Sequence, residues 1–345
     1  MKRFYAITMC LLTILVSCQT NQSQIVDGAK QIESRPLEWK TPLKTRIQVQ
    51  DNMALLGAVA VYPVRDQEVL LQVMTGDWCF KWMNLETGEI KGLVRRGRGP
   101  GEMLDAGFAG SRVLPDGLSR IYFYSLASSE LVAINLEKTL ADGSASVELR
   151  QNLPGGTMYA LASDSDILGY RMDSNNRVDW YSIQEKGDVS HKLFPFGDKG
   201  RVKETDYYFA ATALSPDGTH LVMGMASFPR IYIFRLDKGT ATAIAYGDKT
   251  EQAIASSLEQ RNVEMPACCT FATIHGEQIY ALVLGQNGSP DESNSLELHI
   301  YNMEGKHLSN WKMDEFLVNI AVLGDGYTLV GITMDGELYR YELKA

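Results

Sequence analysis

After the first 16 residues, no apolar run in this 345-residue chain approaches the roughly 20 residues that a membrane-spanning helix needs. Histidine and cysteine are scarce, at five residues each. The histidines have no metal-ligand spacing such as His-Glu-x-x-His, and no Gly-x-Ser-x-Gly nucleophile motif occurs. The sequence therefore predicts no metal site, no cofactor and no familiar hydrolase centre.

Basic residues are outnumbered, with 33 Lys and Arg against 42 Asp and Glu, which gives a net charge of −9. An acidic chain is a poor general partner for nucleic acid or anionic lipid, because like charges repel. Hydrophobic residues still make up 45% of the chain and charged residues 22%, so we expect a large core and no extensive disorder.

The most informative pattern is a turn that recurs along the chain. Each copy lies between two short apolar runs, and the copies are Leu114–Gly117, Leu214–Gly218, Ile274–Gly276 and Leu323–Gly326. Asp-Gly and Pro-Asp-Gly supply the positive φ that tight hairpins need. The glycines of the last three turns are 58 and 50 positions apart, which is the size of a propeller blade. A degenerate copy is expected near Ser163–Asp166.

Units of about 50 residues with four strands each predict an all-β fold, a six-bladed β-propeller. The clearest unit covers Ala210–Tyr246, and the second is expected at Phe108–Lys138. The last unit has only three strands, and we expect the strand Leu43–Gln50 to complete it, because an open sheet edge exposes unpaired backbone groups. An ordinary β-sandwich is the alternative, but its turns have no such period.

The N-terminus has the pattern of a bacterial lipoprotein signal. A basic start is followed by the apolar segment Phe4–Val16, and Cys18 comes two residues later. We expect residues 1–17 to be the signal peptide, residues 18–36 a flexible tether rich in Gln, Asn and Ser, and residues 37–345 the propeller. Lipid on the Cys18 sulfur would anchor the protein, and the expected address is the periplasmic face of a Gram-negative outer membrane. A soluble secreted protein, with Cys18 incidental, is the alternative.

Three cysteines remain beyond this signal, namely Cys79, Cys268 and Cys269. The adjacent Cys268 and Cys269 could form a vicinal disulfide in an oxidising compartment, or Cys79 could pair with one of them. The favoured alternative is burial of all three as small apolar residues.

The segment Arg95–Glu102 contains three arginines and three glycines between the first and second predicted blades. Glycine permits close backbone approach, and arginine binds carboxylate or phosphate bidentately, so Arg96, Arg98 and Glu102 are candidate ligand-binding residues. The segment is not a P-loop, because no Lys-Ser/Thr follows. Alternatively, Arg96 or Arg98 pairs with Glu102 or a neighbouring blade, and the glycines form a sharp crossover.

Within this segment, Gly97-Arg-Gly-Pro-Gly-Glu102 resembles the Gly-Arg-Gly-Pro-Gly-Glu-Phe signature of the TolB-like six-bladed β-propeller lipoproteins. Met103 stands where that family commonly has Phe. The signal, the tether and the number of units are similar to the family across nearly the whole chain. The resemblance implies a six-bladed propeller on a lipid anchor, and it implies no defined activity.

An aromatic cluster opens the fourth unit, where Tyr207 and Tyr208 precede Phe209. On a rim, these rings could stack on sugars or bind a protein; in the core, they would pack between blades. We expect a monomeric binding or scaffold module for a protein, peptide or glycan partner. The alternative is an extracytoplasmic carbohydrate-active lyase or hydrolase with its site at the central channel. Charged groups converging at that channel would indicate the enzyme, and a plain channel with an aromatic rim would indicate binding.

Overall fold

The computed structural model describes residues 29–34, 37–49, 55–163, 166–172, 178–184, 189–192, 210–226, 229–246, 268–285 and 296–344. These residues form six sheets of four or five strands, arranged as the blades of a propeller. The predicted all-β, six-bladed fold is therefore confirmed. Among the described residues, no helix is long and apolar enough to cross a membrane.

Three short strands precede the first blade: β1 (Lys30–Ser34), β2 (Trp39–Lys40) and β3 (Leu43–Arg46). Blades one and two contain β4 (Ala58–Arg65), β5 (Glu68–Val73), β6 (Trp78–Asn84), β7 (Ile90–Arg95), and then β8 (Gly107–Val113), β9 (Ser119–Ser125), β10 (Glu130–Asn135), helix α1 (Leu136–Asp142) and β11 (Ser146–Asn152). Blades three and four contain β12 (Thr157–Ala162), β13 (Asp166–Met172), β14 (Val178–Gln184), β15 (Val189–Lys192), and then β16 (Ala210–Leu214), β17 (His220–Met225), β18 (Arg230–Arg235) and β19 (Thr240–Tyr246). Blades five and six contain β20 (Cys269–His275), β21 (Gln278–Leu284), β22 (Leu296–Asn302), β23 (His307–Lys312), and then β24 (Leu317–Val322), β25 (Thr328–Thr333) and β26 (Leu338–Glu342).

The core consists of apolar layers between neighbouring blades. Successive side chains of a strand point to opposite faces of its sheet, so both faces of β5 can be buried. Val69 and Leu71 pack in the layer shared with blade six, whereas Leu70 packs in the layer shared with blade two. All three are fully buried. The middle strands of a blade therefore appear in the sequence as continuous apolar runs, which is typical of strands buried on both faces.

The recurring turns join the first and second strands of their blades. Gly117, Gly218, Gly276 and Gly326 have φ values of 81°, 72°, 55° and 68°. Their positive φ confirms the turn chemistry that the sequence predicts. The degenerate copy joins β12 to β13, where the Ser163 amide donates to the Asp166 carbonyl over 2.9 Å. These turns all lie at one end of the sheets, which we call the turn face.

The N-terminal strand completes the last blade, as predicted. β3 pairs antiparallel with β26, with Leu43 opposite Glu342 and Arg46 opposite Tyr339. The blade order is therefore β24, β25, β26 and β3. Strands from both ends of the chain close the ring, which removes the open edge of the last sheet.

Two parts of the chain differ from the prediction. Residues 18–36 were expected to form a flexible tether, but Lys30–Ser34 forms β1, which pairs in parallel with β19. The unpaired backbone groups on the outer edge of β19 give this polar segment hydrogen-bond partners, which local composition does not reveal. The second unit also extends beyond Lys138, because α1 precedes its outer strand, β11. Residues 1–28, including Cys18, lie outside the described residues.

Candidate functional site

The connections between consecutive blades lie at the end of the sheets opposite the turn face, which we call the loop face. Residues 96–106 join β7 to β8 at this face. The strands that flank residues 193–209 and 247–268 also end and begin there. Tyr207 and Tyr208 lie outside the described residues, so their binding role stays a prediction.

The side chain of Arg96 is used to hold the loop that follows β7. Its guanidinium donates hydrogen bonds to three backbone carbonyls: Nε to Gly76 over 3.3 Å, Nη1 to Leu104 over 3.0 Å and Nη2 to Val73 over 3.1 Å. The rigid fork of guanidinium donors suits such a junction. Arg96 therefore joins the loop to the β5–β6 connection, and within the described residues it forms no hydrogen bond or ion pair with Glu102.

Glu102 stabilises the same loop from within. Its carboxylate accepts a hydrogen bond from the Gly99 amide over 2.8 Å, and the Glu102 amide donates to the Gly99 carbonyl over 3.0 Å. A Cβ at Gly97 would overlap the Glu102 carboxylate, so any side chain there would displace it. The glycines thus make room for the carboxylate that ties the loop together.

Arg98 differs from these two residues, because its side chain is exposed. In the described part of the chain, Arg98 forms no hydrogen bond or ion pair. Its guanidinium is therefore available to an anionic group at the loop face. Ligand binding by Arg96, Arg98 and Glu102 stays a prediction. The geometry shows in addition that Arg96 and Glu102 hold the loop after β7 in place.

The strands nearest the central channel are β4, β8, β12, β16, β20 and β24, and none of the six contains Asp or Glu. Their basic residues are Arg65, Arg112 and His275, which lie at or near the turn-face ends of their strands. Arg65 forms ion pairs with Glu68 and Glu137. Hydrolysis of a glycosidic bond commonly uses two carboxyl groups. These six strands contain no carboxyl side chain, so they offer no such pair.

Half-buried aromatic rings occupy the inner ends of three successive inter-blade layers. We call this set the aromatic arc, and it comprises Tyr62, Phe108, Tyr124, Tyr159 and Tyr170. Tyr62 stacks on Phe108 with ring centroids 4.2 Å apart. Tyr159 lies 5.3 Å from Tyr124 and 6.2 Å from Tyr170. The arc spans blades one to three and combines apolar ring faces with phenol hydroxyls.

The phenols of the arc are neutral at physiological pH. Burial raises the pKa of all four tyrosines above the ordinary value of a phenol. The Tyr62 hydroxyl donates to Gln72 Oε1 over 3.0 Å, and Tyr159 hydrogen-bonds with Thr212. The arc can therefore donate and accept hydrogen bonds, but it supplies no general base at neutral pH.

A recess of about 350 Å³ also opens on the loop face, at the seam between blades six and one. Leu55 and Leu56 line it, together with Arg46 and Glu337, whose ion pair measures 2.5 Å. Its volume lies at the lower end of the range for small-ligand pockets. The loop face thus carries a recess at this seam.

Cys268 and Cys269 are free, buried thiols, which is the alternative that the sequence favours over a vicinal disulfide. The Cys269 sulfur packs against Gly224 and donates a weak hydrogen bond to the Phe271 carbonyl over 3.4 Å. Burial raises the pKa of Cys268 and Cys269 to about 12. Cys79 is free and buried as well. Buried thiols with raised pKa values are poor nucleophiles, so none of the three cysteines that the structure describes is suited to nucleophilic chemistry.

Two histidines come together at the outer side of blade five. His299 Nε2 lies 3.0 Å from Glu297 Oε2, and its Nδ1 lies 3.0 Å from the Tyr301 hydroxyl. The His307 ring stacks 5.1 Å from that of His299, and its Nδ1 lies 2.8 Å from Ser34 Oγ. Across the described ranges, no group of three or more His, Cys, Asp or Glu side chains could hold a metal ion.

A solved structure with a TM-score of 0.53 supports the fold. No protein-family model matches the sequence, and no curated protein matches it. A candidate exported protein from Bacteroides fragilis is 10% identical with a TM-score of 0.53, and the match covers 92% of this chain and 99% of that chain. A catalytically inactive variant of virginiamycin B lyase from Staphylococcus aureus is 14% identical with a TM-score of 0.46, covering 88% and 89% of the two chains. The β-propeller domain of Myceliophteria thermophila Cps50 is 10% identical with a TM-score of 0.47, covering 88% and 100%.

Proposed function

We propose that this chain is a lipid-anchored, extracytoplasmic binding module that holds a protein, peptide or glycan partner at its loop face. The observation that carries the proposal is the channel wall, whose six strands contain no carboxylate while aromatic rings line three of the inter-blade layers. Acid–base catalysis needs positioned titratable groups, whereas binding needs apolar surface with a few polar groups. The channel wall has the composition of a binding surface, with apolar surface and a few polar groups.

The anchor in this proposal rests on the sequence. Phe4–Val16 provides the apolar segment of a signal, and Cys18 stands where a lipoprotein carries its lipid. The TolB-like signature at Gly97–Glu102 supports the same assignment. The mature protein would then reside on the periplasmic face of an outer membrane, as a monomeric propeller attached through lipid.

The partner would be recognised by stacking and hydrogen bonding, with a smaller contribution from charge. Tyrosine pairs an apolar ring face with a hydroxyl, a combination that suits both sugar rings and protein hot spots. Arg98 adds one exposed positive charge at the loop face. Arg96 and Glu102 would act indirectly, because they hold the loop that carries Arg98.

Site-directed photocrosslinking in the native envelope tests this proposal. A photoreactive residue at Arg98 on the loop face should give a discrete product, and the same residue at Glu86 on the turn face should not. Tyr159→Ala should weaken partner retention, while Tyr159→Phe keeps the ring and serves as the matched control. Thermal melting of both variants separates lost binding from lost folding.

Two results would overturn the binding proposal. One is an identical crosslinking pattern from Arg98 and Glu86, which would show that the loop face is not the contact surface. The other is turnover of a glycan panel by the purified protein, which would favour a carbohydrate-active enzyme. The anchor is tested separately: Cys18→Ser should move the protein from the membrane fraction to the soluble fraction.

A further inference from the structure

The segment before the first blade forms a strap along the outer edges of three blades. The strap comprises the described residues 29–34 and 37–46, and it contains β1, β2 and β3. β1 pairs in parallel with β19 of blade four, β2 pairs in parallel with β23 of blade five, and β3 completes blade six. The chain therefore passes around the propeller before it enters blade one.

The direction of β1 fixes where the preceding chain leaves the propeller. β19 begins at the turn face, after the turn that contains Gly239, and it ends at the loop face. β1 runs in the same direction, with Lys30 opposite Thr242 and Ser34 opposite Tyr246. The residue before β1, Ala29, thus lies toward the turn-face end of β19.

β1 also contacts blade five. A Cβ on Gly305 would lie 3.0 Å from Cδ1 of Ile32, and Gly305 belongs to the turn that joins β22 to β23 at the turn face. Ser34 Oγ lies 2.8 Å from Nδ1 of His307, the first residue of β23. β1 therefore starts near the turn-face end of β19, and its later residues also contact the turn-face part of blade five.

Several interactions hold the strap in place. The Asn310 side chain donates to the Leu37 carbonyl over 3.2 Å, and the ring of Trp39 lies 5.9 Å from that of His299. Lys44 forms an ion pair with Asp314 of 2.6 Å. Because the strap is bonded at several points, the exit of the chain at Ala29 is a fixed point on the propeller.

We infer that the anchored propeller turns its turn face toward the membrane and its loop face toward the aqueous space. This inference rests on the lipid anchor of the proposed function. From Cys18 to Ala29 the chain advances 11 residues, which span at most about 40 Å when fully extended. A coil of this length spans about 18 Å on average.

The length of the tether matters because it is comparable with the height of the propeller. A seven-residue inner strand such as β8 is about 23 Å long, which exceeds the average span of the tether. To bring the loop face against the membrane, the tether would have to pass along the outer wall over about 23 Å, which is more than half of its full extension and beyond its average span. The turn-face orientation needs no such extension, so it is the orientation with the higher tether entropy.

The orientation also agrees with the proposed binding surface. The connections at the loop face, including residues 96–106, would then face the periplasm, where a partner can approach. Carboxylates such as Asp116 and Asp237 lie on the turn face, so electrostatic attraction to anionic lipid does not contribute. The tether, and not surface charge, sets the orientation.

Energy transfer from the propeller to the membrane surface tests the inference. Met74 and Glu86 are exposed residues at the loop face and turn face of the same blade. A donor dye is attached to Met74→Cys or Glu86→Cys in the full, lipidated chain, since the native cysteines at 79, 268 and 269 are buried and label slowly. With an acceptor lipid in phosphatidylcholine vesicles, we expect higher transfer efficiency from position 86.

The outcomes separate the inference from the anchor. Equal transfer from the two positions, or higher transfer from position 74, would overturn the orientation while leaving the anchor intact. Failure of the unmodified chain to float with vesicles, with the same result for Cys18→Ser, would overturn the anchor and the orientation with it. Inserting about 20 Gly and Ser residues between Cys18 and Ala29 should reduce the difference between the two positions, because the coil span then exceeds the height of the propeller.

Discussion

Proline at position 45 should open the seam between β3 and β26 that closes the propeller. The Ile47 amide donates to the Leu338 carbonyl over 2.9 Å. Hydrogen-bonded pairs alternate along an antiparallel ladder, so Thr45 and Arg340 form the next hydrogen-bonded pair. Proline at position 45 removes the Thr45 N–H and leaves the Arg340 carbonyl without its donor.

The expected loss is about 3 kcal/mol, because the ladder bond contributes about 0.5–1.5 kcal/mol and an unsatisfied group costs about 1–3 kcal/mol. Unfolding entropy of about 2.1 cal/mol/K per residue, over the roughly 250 residues that the structure describes, converts this loss to a Tm lower by about 6 °C. Scanning calorimetry measures the shift, and hydrogen exchange should increase selectively in β26.

Thr45→Ala is the matched control for this experiment. Thr45 is exposed, and alanine keeps the backbone N–H, so its Tm should stay within about 1 °C of the unmodified protein. If Thr45→Pro and Thr45→Ala melt at the same temperature, β3 does not contribute to closing the ring, and the reasoning about the seam is wrong.

Three further predictions concern side chains away from this seam. Asn319 is buried, and its side-chain oxygen accepts a hydrogen bond from the Val61 amide of β4 over 3.0 Å. Asn319→Leu should therefore lower the free energy of unfolding, measured in urea, by about 1–3 kcal/mol. Arg96→Ala should speed proteolysis of the loop after β7, whereas Arg98→Ala should leave the rate unchanged, because only Arg96 bonds the surrounding carbonyls. Cys268 and Cys269 have pKa values of about 12 in the folded protein, above the ordinary value of a thiol. Their contribution to the free energy of unfolding is therefore complete below about pH 8.5, and it is lost as the pH rises toward 12. Urea unfolding at increasing pH should show this alkaline loss, and replacing both cysteines with alanine should reduce its slope.

Features fixed by a few neighbouring residues could be predicted from the sequence. Gly218 and Gly326 take the positive φ that their Asp-Gly turns require, which marks the hairpins and their spacing. The three-strand pattern of the last unit also revealed the missing strand, which β3 supplies. The β1 strand was missed, because Lys-Gln-Ile-Glu-Ser contains a single apolar residue and resembles a polar tether.

The candidate site was only partly predictable. The arginine- and glycine-rich segment stands out in the sequence, but the three carbonyls that bind Arg96 come from residues before and after it. The aromatic arc was missed in large part, since Tyr62, Phe108 and Tyr159 are spread over three units. Their position on the first strand of each unit is a signal that alignment of the units would have found.

The sequence by itself determined the number of blades, the turn chemistry and the apolar strands, because these depend on local φ preferences and on side-chain alternation along a strand. Only the tertiary structure decided that β1 and β2 bind the outer edges of blades four and five, and that the chain exits at Ala29 near the turn face. The physical reason is that a polar strand gains its order from backbone hydrogen bonds to a distant edge. Those partners lie more than 200 positions away in the chain, so the residues of the strand do not reveal them.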